Sequence, residues 1–141
     1  MTRKWIYPVL LTGLFALLIH LSLPAGCVYG STTDWLSQHT ALAETIRTAM
    51  REQHTLLPAY LPLGGGSNGF QFSYYGYLRP DILIGCLLPA VPMYKIVIAY
   101  ALGGCLLSVL LFYLLLRRHQ LSGFDSFMGS VLFLTASCFF H

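Results

Sequence analysis

The sequence predicts an all-α, polytopic helical membrane protein, and three observations carry that expectation. Of 141 residues, 56% are hydrophobic and only 9% are charged, where a soluble domain carries about 25% charged residues. The mean hydropathy is +0.67. So few charges cannot coat a globule. Apolar runs at residues 6–23, 93–116 and 124–141 have, or approach, the length that spans a bilayer. Basic pairs flank two of them: Arg3-Lys4 precedes the first and Arg117-Arg118 follows the second. The net charge of +3 forms no basic patch interleaved with aromatics, which speaks against nucleic-acid binding.

The first run is broken only by small or polar residues such as Thr12, His20 and Ser22. By the positive-inside rule both basic pairs are cytoplasmic. The amino terminus is then inside, residues 24–92 form an extracytoplasmic loop, and the second span returns. A third span starts outward after Gln120-Leu121-Ser122-Gly123. Its run stops at His141 without a polar flank, as expected of an amino-terminal fragment. Two other readings of the amino terminus stay open. One is a cleavable signal peptide. The other is a lipoprotein signal at Leu23-Pro24-Ala25-Gly26-Cys27, with Pro24 where that pattern wants an aliphatic residue.

Residues 34–57 read as one helix. Trp35, Leu42, Ile46, Ala49, Met50, Leu56 and Leu57 recur at helical spacing, and Pro58 and Pro62 end the pattern. Such a stripe beside a membrane is expected to lie in the interface. Asp34, Gln38 and Thr45 share another face. Arg47, Arg51 and His54 form a basic strip, with Glu44 and Glu52 close enough to pair. Asp34 itself has two readings. Ser31-x-x-Asp34 fits an acid-for-Glu capping box, and a carboxylate held at a membrane surface also suits catalysis.

Leu63-Gly64-Gly65-Gly66-Ser67-Asn68-Gly69 is either a mobile connector or a source of backbone amides for an anion. It lacks the G-K-[ST] ending of a nucleotide-binding loop. Phe70-Gln71-Phe72-Ser73-Tyr74-Tyr75-Gly76-Tyr77 reads as a headgroup-level aromatic anchor or as a platform for a sugar ring or lipid head. Residues 82–88, after Arg79-Pro80-Asp81, are apolar but too short to span, so an interfacial or re-entrant segment is expected. Cys27, Cys86, Cys105 and Cys138 form no C-x-x-C pair and no zinc spacing, although Cys27 and Cys86 could meet as a disulfide. No clustered acids indicate a cation cage. Neither a metal nor a cofactor is expected.

Three blocks resemble the amino-terminal part of the YfhO family of bacterial membrane proteins. They are Thr33-Asp34 with Gln38; Leu63-Gly64-Gly65-Gly66-Ser67-Asn68 followed by Tyr74-Tyr75; and Tyr94-Lys95-Ile96 with Phe112-Tyr113-Leu114. His39 stands where the family usually has Tyr, and Arg79 where it has Ser before Pro80. The resemblance covers nearly all of this chain but a small part of a full member, which has a dozen or so spans. It implies a GT-C-like fold in the bacterial plasma membrane. It also implies transfer of a sugar from a polyprenyl-phosphate-linked donor to an envelope polymer such as teichoic acid. Carried over, Asp34 is the catalytic acid of the first outer loop, and Gln38 supports it or contacts the acceptor. His39, Asn68, Tyr74 and Tyr75 are further substrate-binding candidates, His39 at a position where it departs from the family's usual residue. The donor's phosphate needs cationic or N–H partners, for which Arg47, Arg51, Arg79 and the amides of residues 64–69 are the candidates. The expected partners are thus the lipid-linked donor, the polymer acceptor and the bilayer. The alternative function is non-enzymatic: a small membrane or lipid-anchored protein that binds a partner or a wall polymer.

Overall fold

The computed structural model describes residues 5–30, 34–63 and 66–136. The chain is mostly helical and divides into two units. One comprises Met1–Val28 with Ala101–His141, and the other is Tyr29–Tyr100.

In the first unit, helices α1 (Ile6–Ser22), the later turns of α4 (Met93–Arg118) and α5 (Gly123–Leu134) share a core of Leu11, Phe15, Val109, Tyr113 and Leu134. Tyr7 packs its ring 5.5 Å from Phe127, and Phe112 stacks on Phe133 at 4.7 Å. Ser122 caps α5 by accepting a hydrogen bond from the Asp125 N–H at 3.1 Å. The Ser-x-x-Asp capping pattern is therefore realised here. The buried hydroxyls of Ser126 and Ser130 donate to carbonyls one turn back, so they cost no unsatisfied donor.

Among the described residues, α4 is the one helix long and apolar enough to cross a membrane. Its 26 residues extend about 39 Å at 1.5 Å per residue, beyond the ~30 Å hydrocarbon core. Only 22% of its most apolar stretch is buried, whereas the core helix of a soluble protein is mostly buried. Helix α1 has 17 residues and the described α5 has 12. The expected third span lies partly outside the described residues. Val9, Leu17 and Leu21 of α1, Leu107, Leu111 and Leu114 of α4, and Leu132 of α5 are all exposed, and so much outward apolar surface is unusual in water.

The second unit begins with a π-helical turn, Trp35–Thr40, that runs into α2 (Ala41–Glu52). The expected single helix over residues 34–57 therefore changes at both ends. It starts with π rather than α geometry, and it stops five residues early. Beyond Glu52, His54 takes a left-handed φ of 50°. The Thr55 N–H donates to the Met50 carbonyl at 3.1 Å, which closes the helix in a Schellman motif with His where Gly is usual. Leu56 and Leu57 consequently leave the stripe and are exposed.

Of that stripe, Ile46, Ala49 and Met50 are buried, together with Ala43, against Leu61, Tyr77, Ile82, Met93, Ile96 and Val97, while Leu42 is only partly buried. The buried part is covered by protein rather than laid on an interface, because α3 (Pro80–Leu87) and the first turns of α4 supply an apolar surface of their own. Residues 82–88, expected to be interfacial or re-entrant, form most of α3. Ile82 is fully buried in the core, while Leu87 is 80% exposed.

The described residues on either side of Gly64 and Gly65 bring two short strands together. Strand β1 (Tyr60–Leu61) pairs antiparallel with β2 (Ser67–Asn68). The Gly66 and Gly69 amides donate to the carbonyls of Leu63 and Ala59, so neither is left for an anion. Gly64 and Gly65 lie outside the described residues. A Cβ on Gly69 would meet the Pro58 carbonyl oxygen at 2.1 Å, so only glycine fits there.

Tyr77 anchors the stretch after these strands. Its ring is 5% exposed and its hydroxyl has no partner among the described residues. Burial raises its pKa above the usual phenol value. The unfolded chain therefore ionises first, and stability is complete below about pH 10 and falls above it. Tyr77→Phe should raise stability by about 1 kcal/mol at neutral pH and reduce the alkaline loss, as denaturant unfolding of the solubilised protein at pH 7 and 10.5 would measure.

Candidate functional site

Asp34 stands at the start of the π turn with φ −88° and ψ −25°, and its side chain makes no capping bond. Ser31, its expected capping-box partner, lies outside the described residues. The Asp34 carboxylate is occupied differently. Gln38 Nε2 donates to Asp34 Oδ1 at 3.0 Å, and the Tyr75 hydroxyl donates to Gln38 Oε1 at 2.7 Å. The result is a directed chain, Tyr75 to Gln38 to Asp34, whose first bond links residues 37 positions apart. It engages one carboxylate oxygen and leaves Oδ2 without a partner among the described residues.

The other half of the site is aromatic. Gly69–Tyr75 is a 3-10 helix whose Asn68 side chain accepts from the Phe70 N–H at 3.0 Å, and Gly76, at φ 77°, ends it. This brings Tyr75 beside the π turn. His39 meets both Trp35 and Tyr75 edge-on with centroids 6.1 Å apart. Tyr74 lies 4.4 Å from Tyr75 and is 75% exposed. Desolvation by burial raises the Tyr75 pKa, followed by the hydrogen bond and charge of Tyr74 and the charge of Asp34. Tyr75 is thus a protonated donor at neutral pH. An exposed carboxylate beside open aromatic faces can accept a proton from a hydroxyl and stack a sugar ring.

Of the nine site residues expected from sequence, Asp34, Gln38, His39, Tyr74 and Tyr75 come together. Asn68 serves as the cap of the 3-10 helix. Arg47 is 6% exposed and holds the fold together. Its Nε donates to Glu44 Oε1 at 3.1 Å, Nη2 pairs with the same oxygen, and Nη1 donates to the Val91 carbonyl at 2.7 Å. Glu44 Oε2 accepts from the Met93 N–H at 3.1 Å, where α4 begins and its first amides lack helical partners. Arg79 is paired with the buried Asp81, Nε to Oδ1 at 3.1 Å and Nη2 to Oδ2. Both guanidinium groups are committed to carboxylates, so the sequence-based expectation that they serve a donor phosphate is not supported by their geometry. Arg51 lies near the far end of α2, roughly 25 Å along the helix axis from Asp34.

Sequence reasoning missed the clamp from Glu44 and Arg47 to α4. The i,i+3 spacing signals the pair but not its carbonyl and amide partners. Cys27 and Cys86 form no disulfide with each other, and Cys86 Sγ lies 3.8 Å from Met50 Sδ. Comparison with models of protein families, with curated proteins and with solved structures finds no match to this chain. The resemblance to the YfhO family therefore rests on its three sequence blocks.

Proposed function

We propose that this chain belongs to a GT-C-like glycosyltransferase. It transfers a sugar from a polyprenyl-phosphate carrier to a hydroxyl of an envelope polymer, at the outer face of a bacterial plasma membrane. The observation that carries the proposal is the hydrogen-bonded chain from Tyr75 through Gln38 to Asp34. It joins two of the blocks on which the family resemblance rests, and it leaves a carboxylate oxygen open beside an aromatic platform. Helix α4, long and apolar enough to span and mostly unburied, supports the membrane setting. The basic pair at its carboxyl end favours a cytoplasmic end there, and the proposed topology has residues 24–92 outside and α1 and α5 as further membrane elements.

In the proposed step the acceptor hydroxyl gives its proton to Asp34 Oδ2 as its oxygen attacks the anomeric carbon. The bond from that carbon to the phosphate oxygen breaks, and polyprenyl phosphate leaves with the electron pair. Gln38 fixes the carboxylate orientation, and Tyr75 fixes the Gln38 amide. Tyr74 offers a ring face to the acceptor sugar. Arg47 and Arg79 are not assigned to the leaving phosphate, since Glu44 and Asp81 already hold them.

Membranes from cells expressing the whole coding sequence, given a panel of polyprenyl-phosphate-linked hexoses, should release polyprenyl phosphate and label a wall polymer. Folded protein that consumes none of them would sink the proposal. The exposed Tyr74 ring also suits the binding of a wall polymer without chemistry. That second reading expects polymer retention unchanged by Asp34→Asn and no donor consumption at all.

A further inference from the structure

The carboxyl end of α2 carries a site that sugar transfer does not use. Met50, Arg51, His54, Thr55, Leu56 and Cys86 line a shallow depression of about 170 Å³. Arg51 and His54 are exposed, and neither has an ion-pair or hydrogen-bond partner among the described residues. Their situation differs from that of Arg47 and Arg79, whose guanidinium groups are matched to carboxylates. His54 also occupies its position at a cost. Its φ of 50° is the conformation that glycine takes without strain. A residue kept there against backbone preference has a side chain worth explaining.

Apolar side chains surround the two cationic donors. Leu56 and Leu57 are more than half exposed beyond the depression, and Leu87, next to the lining residue Cys86, is 80% exposed. The same unit contains the start of α4, the membrane-length helix, whose Met93, Ile96 and Val97 belong to its core. The chain between Leu87 and Met93 can reach no further than about 20 Å. Lys95, with its Nζ 5.9 Å from the Tyr94 ring centroid, gives that start the Tyr and Lys composition of a headgroup-level anchor. An unpaired arginine and an imidazole, ringed by exposed leucines and tied to the beginning of a span, match an amphiphile with an anionic head and a hydrocarbon tail.

We infer that this depression binds the phosphate headgroup of an anionic phospholipid of the surrounding bilayer. Arg51 and a ring N–H of His54 donate to the phosphate, and Leu56, Leu57 and Leu87 lie among the acyl chains. Imidazole keeps an N–H donor in either protonation state. The inference rests on the reading of α4 as a span and is independent of the sugar-transfer chemistry.

The test is lipid retention by the full chain, purified in detergent and titrated with phosphatidylglycerol, phosphatidylcholine or inorganic phosphate, and read by native mass spectrometry. Phosphatidylglycerol should be retained at least about fivefold more strongly than phosphatidylcholine, the discrimination expected from one unpaired basic residue. Arg51→Gln should abolish most of that preference. His54→Gly should weaken it while raising the unfolding midpoint, because glycine relieves the left-handed strain. A loss of lipid in that variant cannot be a loss of fold. Equal retention of the two lipids overturns the inference, as does a preference that survives both substitutions. Displacement of the lipid by millimolar inorganic phosphate also overturns it, since the site would then hold free phosphate. Failure of the donor-consumption assay leaves lipid retention unaffected, so the two proposals fail separately.

Discussion

Asp34→Asn is expected to lower sugar transfer by about two to four orders of magnitude, the usual contribution of a positioned general base, while the protein folds as before. The side chain is exposed and makes no capping bond, so little stability depends on its charge. Asn retains an oxygen that can accept from Gln38 Nε2 but has no basic site for the acceptor's proton. The positioning residues should follow in a graded order. Gln38→Leu frees the carboxylate and the Tyr75 hydroxyl together. Tyr75→Phe removes only the outermost of the two hydrogen bonds, whose O to O distance is 2.7 Å, and should cost about tenfold or less at a net worth of ~1 kcal/mol. Steady-state transfer by equal amounts of folded protein would check both the size of the Asp34 effect and the order. Loss of folded, detergent-extractable protein in Asp34→Asn would point instead to a structural role for the acid.

Glu44→Ala is expected to destabilise the protein by about 3 kcal/mol, more than Arg47→Leu at about 2 kcal/mol. The asymmetry follows from burial. The Arg47 side chain is 7% exposed, whereas that of Glu44 is 44% exposed. Removing the acid leaves a charge buried without its counter-ion and also strips the acceptor from the Met93 N–H at the start of α4. Removing the arginine leaves a half-exposed carboxylate that water can solvate and that still accepts from Met93. Because the two residues share one network, the double substitution should cost less than the sum of the single ones. Denaturant unfolding of the solubilised protein measures all three. Equal effects of the two single substitutions would mean that the burial difference does not govern the clamp.

Long apolar patterns were the most readable part of the fold. Met93–Arg118 follows from an unbroken run with arginines at its end, and the stripe of Ile46, Ala49 and Met50 marks α2. The end of α2 was not readable, because the left-handed turn falls on His54, where no glycine announces it. The π geometry of Trp35–Thr40 was hidden for a related reason: it shifts hydrogen bonds by one residue without leaving a compositional mark. In the candidate site, the spacing of Asp34 and Gln38 by one turn was legible and the contact with Tyr75 was not. That contact depends on the strand pair, on Gly69 fitting against the Pro58 carbonyl, and on Gly76 ending the 3-10 helix. The arginines show the opposite failing. Their charge is plain in the sequence, but whether a guanidinium is free depends on partners such as the Val91 carbonyl and Asp81, which spacing does not reveal.

Donor binding and donor consumption, measured on one preparation of Asp34→Asn beside the parent protein, separate chemistry from affinity. If Asp34 takes the acceptor's proton, the variant binds the polyprenyl-phosphate sugar as the parent does and releases polyprenyl phosphate at least about a hundredfold more slowly. Release at the parent's rate, with binding intact, is incompatible with Asp34 as the base.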